Sequence, residues 1–223
     1  MGHHDLLACC VVAVCVLGAI VCCPVRSERA ASPVVLVTGF EPFGNYSVNP
    51  SGLIAENLNG TMIGNVLVVG VVLPVNFTEA VEVVDAAIDE YRPVLVVSTG
   101  LNARWSCLSV EHWGVDLWRD VQHGVRVPRR LDPHGAWVRP VSIPVGLCVA
   151  GLREAGIPVR SSWWAGMYVC NAVLYGELGH VQEEGLDVSV GFVHVPLLDS
   201  QDAGGLSLET EVSGVRLVIE LSL

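Results

Sequence analysis

Four short apolar runs rich in β-branched residues punctuate this chain, and each stops at a glycine or a proline. They are "VVLVT" before Gly39, "VLVVGVVL" before Pro74, "VLVVST" before Gly100 and "VSVGFVHV" before Pro196. Runs of this length and composition read as buried strands. Helical patterns lie between them. "NPSGLIAENLNG" starts a helix around Asn49–Ser51 and stops it at Gly60. In "NFTEAVEVVDAAIDEYRP", Phe77, Ala80, Val81, Val84, Ala87, Ile88 and Tyr91 share one face of a 3.6-residue period, and Pro93 ends it. "VGLCVAGLREAG" reads as a helix stopped by Gly156, "IPVRSS" as a strand, and Cys170–His180 as a further helix. The closing "GVRLVIELSL" fits a strand or a helix. Leu101 to Pro140 holds four of the six tryptophans and no clear period, so it reads as a long irregular segment, of the kind that usually carries function. Alternating strands and helices predict an α/β domain with a mostly parallel central sheet. Sites in such sheets gather beyond the carboxyl ends of the strands.

The 223 residues suffice for one sizeable core. Only 16% of residues are charged, which argues against disorder. The net charge of −11 leaves no basic surface to neutralise phosphates, so a nucleic-acid partner is excluded. Residues 1–33 stand apart from the domain at 34–223. Leu6–Val25 is an uncharged apolar run, at the ~20 residues that span a bilayer and long for a signal peptide. No Lys or Arg precedes it, whereas Arg26 and Arg29 follow it. An uncleaved anchor of this polarity leaves the domain on the cytosolic side. Cleavage after Ser27, as in a signal peptide, is the alternative, and it would send the domain into the secretory pathway. The sequons at Asn45, Asn59 and Asn76 matter only in that second case. Five of the eight cysteines lie in the apolar run, leaving Cys107, Cys148 and Cys170 in the domain. Three scattered cysteines make neither a disulfide framework nor a four-ligand zinc site. They read as reduced thiols, which suits the cytosol.

The chemistry-bearing residues fall at element ends. Cys170 sits where "SSWWAGMYV" gives way to a helical pattern, His194 ends the strand "VSVGFVHV", and Glu111 lies in "LSVEHWGVD". A helix N-terminus and a nearby imidazolium turn a thiol into a thiolate nucleophile. A histidine can take the thiol proton and return it to a leaving amine. A carboxylate fixes the histidine tautomer and stabilises its charged form. Backbone N–H groups at the helix start can hold an oxyanion. Each residue also has a structural role open to it, as a small core thiol, a hydrogen-bonded core imidazole or a loop carboxylate. Cys148 competes poorly as a nucleophile because it sits mid-helix, and Cys107 because no helix starts after it.

Five stretches occur in a telling order: "TGFEPFG" (Thr38–Gly44), "VNPS" (Val48–Ser51), "AGMYVCN" (Ala165–Asn171), "GFVHVP" (Gly191–Pro196) and the closing "SLETEVSGVRLVI". From Val34 to the C-terminus the chain resembles the pyroglutamyl peptidase I family of cysteine peptidases. The resemblance implies a three-layer α/β/α sandwich and no cofactor. It implies an omega-peptidase that removes N-terminal pyroglutamate from peptides through a thioester, with Cys170 as nucleophile, His194 as base and acid, and Glu111 as the orienting carboxylate. Phe40 and Phe43 match the aromatic residues that grip the pyroglutamyl ring. The ring is a flat, neutral lactam, which aromatic faces hold well. A free N-terminal glutamate brings charge into an apolar slot and is rejected.

The chain also departs from the family pattern. After Glu111 the sequence is "EHWGVD", with Asp116 at an asparagine-like position, and "RVPRR" (Arg126–Arg130) matches only loosely the stretch beyond it. Trp164 stands where the family has a small or hydroxyl residue, and the apolar leader has no counterpart in compact members. These departures support a rival reading: a catalytically impaired relative that acts as a membrane-tethered binding or regulatory protein. A nucleoside-phosphorylase-like enzyme fits less well, because no Gly-rich phosphate loop with basic residues is present. Membrane association through residues 6–25 and self-association into a homo-oligomer are carried as further expectations.

Overall fold

The computed structural model describes residues 32–121 and 123–223. The apolar run Leu6–Val25 lies outside the described residues. Among the described residues, no helix is long and apolar enough to cross a membrane.

Strand β1 (Val34–Phe40) leads to helix α1 (Pro50–Leu58), then to the hairpin of β2 (Met62–Ile63) and β3 (Val66–Leu73), helix α2 (Glu79–Tyr91) and strand β4 (Leu95–Leu101). Strand β5 (Leu108–Glu111) precedes four short strands, β6 (Trp113–Val115), β7 (Trp118–Asp120), β8 (Val125–Arg129) and β9 (Val138–Pro140). Helix α3 (Val145–Glu154), strand β10 (Val159–Ser162), helix α4 (Val169–Glu183), strand β11 (Ser189–Val195) and helix α5 (Leu208–Ser222) follow. Seven strands form the central sheet in the order β10-β5-β11-β4-β1-β3-β2. One hydrophobic core joins the sheet to α1, α3 and α5; a second joins its other face to α2 and α4. The molecule is the expected three-layer α/β/α sandwich.

The sheet is parallel through β11, β4, β1 and β3, and β10 is parallel to β5, but β5 runs antiparallel to β11. The connection from β4 to β5 explains the reversal. It spans only residues 102–107, and a parallel return needs a crossover of about a dozen residues or more. Leu101–Pro140 is therefore not irregular. It contributes β5 to the sheet and folds the rest into two small hairpin-like pairs, β6 with β9 and β7 with β8. The closing segment is helical. Ser207 caps it by accepting from the Thr210 amide at 3.2 Å, and Glu209 and Glu211 occupy the first turn. Tyr91 shares the apolar period of α2 but is exposed, because it is the last helical residue before Arg92 turns left-handed at φ 44°.

The motifs explain themselves as joints. Pro50 opens α1 and Asn49 caps it, accepting from the Ser51 amide. The Ser51 hydroxyl in turn accepts from the Phe40 amide at 3.1 Å, tying the end of β1 to the start of α1. Gly39 lies against the Ser51 carbonyl so closely that any Cβ would collide with backbone there. Gly39→Ala is expected to destabilise the domain by about 2 kcal/mol or more, read as a lowered unfolding midpoint in urea.

Candidate active site

Helix α4 starts beside the carboxyl ends of β4 and β11. Cys170 is its second residue, and Asn171 is fully buried behind it. The Asn171 side chain accepts from the Val115 amide at 2.9 Å and donates to the carbonyls of Val115 and Leu117 at 2.7 and 2.9 Å. It thereby stitches the first turn of α4 to the β6–β7 connection. The amides of Asn171 and Ala172 return to the Tyr168 carbonyl. Those of Val169 and Cys170 are the first-turn donors that a helix leaves without internal acceptors. Asn171→Leu strands three backbone groups at this joint. It is expected to lower stability by about 2–4 kcal/mol and to loosen Cys170, measured by urea unfolding and by the rate of thiol alkylation.

The Cys170 sulfur rests over Gly100 of β4. A Cβ on Gly100 would stand 2.8 Å from that sulfur and 3.0 Å from the Phe192 ring. Gly100→Ala is therefore expected to push the thiol out of position and lower turnover at least tenfold, with a smaller effect on stability. Steady-state kinetics beside a thermal melt checks both.

His194 lies on β11, next to the end of β4, and Glu111 ends β5. The antiparallel register pairs His194 with Ser109, which puts Glu111 diagonally across on the same sheet face. His194 Nδ1 meets Glu111 Oε1 at 2.8 Å, with both residues buried at 5% and 2% exposure. That leaves Nε2 for the thiol, and Cys170 lies close enough to His194 to raise the proton affinity of the ring. Burial by itself lowers the pKa of this imidazole, but its interactions with Cys170 and Glu111 outweigh it and push it up to about 10. Both neighbours favour the protonated form of the ring. Such a set can activate sulfur for attack and return a proton to a departing nitrogen.

Cys170 and His194 open on a cavity of about 340 Å³, walled by Phe40, Phe43, Tyr168, Met167 and Val75, with Asn49, Asn102 and Arg104 among its polar lining. Four of the five residues singled out in the sequence line it, and the fifth, Glu111, stands behind His194. The other thiols lie elsewhere. Cys148 is buried in α3 against Ser222 of α5, on the opposite side of the sheet, and Cys107 precedes β5. Burial raises the pKa of both.

The departures from the family pattern fall outside this cavity. Trp164 does not line it, and neither does any residue from His112 to Asp116. Asp116 is fully buried, accepts from the Asp132 amide at 2.7 Å and pairs with Arg130, so it folds the segment between β6 and β9. Arg139 of β9 reaches α4, donating to the Tyr175 carbonyl at 2.9 Å with its guanidinium over the Tyr175 ring. Asn171, Asp116 and Arg139 act in placing the site and were not assigned from sequence. A buried asparagine directly after the cysteine was the one available signal.

An α/β/α sheet with a thiol, an imidazole and a carboxylate joined at strand ends defines a hydrolase of the cysteine-nucleophile class. The sequence model of the family described as pyroglutamyl peptidase matches residues 34–223. The pyrrolidone-carboxylate peptidase of Yersinia pestis (strain Pestoides F) is 33% identical over 203 residues, covering 85% of this chain and 92% of that protein. Its counterpart in Mycobacterium bovis (strain BCG / Pasteur 1173P2) is 34% identical, covering 85% and 91%. The solved structure of the pyrrolidone carboxyl peptidase from Thermococcus litoralis superposes with a TM-score of 0.80 at 30% identity, covering 85% of this chain and 93% of that one. The chain belongs to the pyroglutamyl peptidase family of cysteine peptidases.

Proposed function

We propose that this chain removes N-terminal pyroglutamate from peptides, with Cys170 as nucleophile, His194 as general base and acid, and Glu111 as the carboxylate that orients His194. The observation that carries this reading is the His194–Glu111 pair beside Cys170, with Cys170 and His194 opening on an aromatic-walled cavity. Phe40 and Phe43 grip the neutral lactam ring there. The Cys170 thiolate attacks the carbonyl that joins pyroglutamate to the next residue. The oxygen gains negative charge and is held by the first-turn amides of Val169 and Cys170. The tetrahedral centre collapses as the C–N bond breaks, and the His194 imidazolium gives its proton to the leaving nitrogen. His194, now neutral, takes a proton from water, which hydrolyses the thioester and releases pyroglutamate and the thiol. An N-terminal glutamate is excluded because its charges lose more hydration than this cavity restores.

The test is hydrolysis of pyroglutamyl-aminomethylcoumarin by the full chain beside Cys170→Ala. Turnover by the first and none by the second supports the reading. No turnover by the folded wild-type chain sinks it and favours the binding-protein alternative.

For location, the reading carried from the sequence is an anchor at residues 6–25 with the domain facing the cytosol. It is supported by the free thiols of Cys107, Cys148 and Cys170. Release of the expressed chain from membranes by alkaline carbonate contradicts an anchor. Self-association into a homo-oligomer is checked by light scattering of the eluting protein.

A further inference from the structure

Three tryptophans stand exposed beside the active site. Trp105, Trp163 and Trp164 are 42%, 70% and 45% exposed. They wall a groove of about 320 Å³ whose lining also includes Glu111, His194 and Arg160. The walls are held in place. Trp163 stacks on His112 with ring centroids 4.7 Å apart, and the Arg160 guanidinium lies over the Trp105 ring at 3.8 Å. Glu111 Oε2, on the other side of the carboxylate from His194, is buried without a hydrogen-bond partner. Side chains this large, rigid and exposed in one place mark a contact surface.

We infer that this groove is the subsite for the residue that follows pyroglutamate, and that it selects an aromatic side chain there. The inference rests on the peptidase reading above. The lactam occupies the cavity behind Cys170, and the leaving nitrogen must sit within about 3 Å of the His194 ring to receive its proton. The next side chain is attached one atom further on. It therefore emerges beside His194, which the tryptophan groove shares with the cavity along with Asn102, Ala165 and Gly166. A second groove adjoins the cavity at Phe43, Arg104 and Tyr168 and shares Trp164, but neither Cys170 nor His194 nor Trp163 lines it, so Trp163 distinguishes the two. The charged side chains of the tryptophan groove are engaged, His194 with Glu111 Oε1 and Arg160 with the face of Trp105, and Glu111 Oε2 is buried out of contact. What remains to be contacted is the indole surface of Trp163 and Trp164. An aromatic ring meets such surfaces with geometry that an aliphatic or small side chain lacks, worth roughly a two- to tenfold preference for each ring pair.

The experiment compares kcat/KM for pyroglutamyl-phenylalaninamide and pyroglutamyl-alaninamide with the full chain. The expected ratio is about tenfold in favour of phenylalanine. Trp164→Ala and Trp163→Ala are expected to bring the ratio toward one, through a raised KM for the phenylalanine peptide. Trp164→Phe is expected to keep most of the preference. Val127→Ala, at an exposed position of β8 outside the groove, is expected to leave the ratio unchanged. Hydrolysis of the alanine peptide with a ratio near one, or a ratio unmoved by both alanine variants, overturns the subsite and leaves the peptidase reading standing. Hydrolysis of neither peptide overturns the peptidase reading and the subsite with it.

Discussion

Glu111→Gln lowers kcat/KM by about a thousandfold or more and moves the alkaline limb of the pH profile downward; that is the expected result with the largest effect on activity. The amide cannot carry the charge that stabilises the imidazolium, and its NH₂ face favours the wrong tautomer at Nδ1. The loss of an equivalent carboxylate in a serine-based triad is about 10⁴-fold. Burial opposes the charge on His194, but its interactions with Cys170 and Glu111 push its pKa up to about 10, which should hold activity up to the neighbourhood of that pH in the wild-type chain. With glutamine at 111, one of the two supports is gone and burial opposes the charge with less resistance. The ring then deprotonates at lower pH, and the alkaline limb of kcat/KM follows it. Pyroglutamyl-aminomethylcoumarin hydrolysis across pH 6–11 reads both effects. A variant that loses activity with its alkaline limb unmoved would assign Glu111 a packing role only.

The second large effect concerns stability and pH. Glu211, in the first turn of α5, is fully buried, and neither carboxyl oxygen has a hydrogen-bond partner. Burial pushes its pKa from 4.5 up to about 8, with Asp199 adding to the shift. A carboxyl with a raised folded pKa binds its proton more tightly in the folded state. Its contribution is fully present below about 4.5, the unfolded value, and is lost as pH rises through about 8. The span corresponds to a loss on the order of 5 kcal/mol. His194 acts in the same direction, since its imidazole is also raised, and its contribution fades as pH passes 6.5 and approaches 10. Glu177, fully buried in α4 and accepting from Ser98, is raised well above 4.5, chiefly by burial, and adds a third contribution of the same sign. The melting temperature is therefore expected to fall steadily from pH 5 to pH 9. Glu211→Gln, neutral at every pH, should flatten much of that slope. An unchanged slope in the variant would remove Glu211 as its source.

How much of this was legible before folding depends on the range of the interaction involved. The strand at Val34–Phe40 and the helix at Pro50–Leu58 were plain, because an apolar run, a proline and an asparagine cap act within a few residues. The four residues of β5 were hidden inside a segment read as irregular. Four buried residues are too few to display a period, and their partners are β10 and β11, about 50 and 80 positions away. The closing helix was ambiguous because the apolar positions of "GVRLVIELSL" satisfy both periods. Ser207 and the two glutamates of the first turn are the signal that decides it, and they lie before that stretch.

The sequence by itself determined the layer architecture, through alternating elements whose patterns are local. Together with its family resemblance, it also named the thiol, the imidazole and the carboxylate. It could not place them. Glu111 reaches His194 because a six-residue connection makes β5 antiparallel, a consequence of chain length acting across the sheet. The tryptophans after β10 looked like an intrusion on the nucleophile when read along the chain. In three dimensions they do not line the cavity at Cys170 and wall grooves that adjoin it. The raised pKa of His194 is likewise a tertiary property. Proton affinity in a buried site is set by which charges lie within a few ångströms, and only the packed sheet brings those charges together.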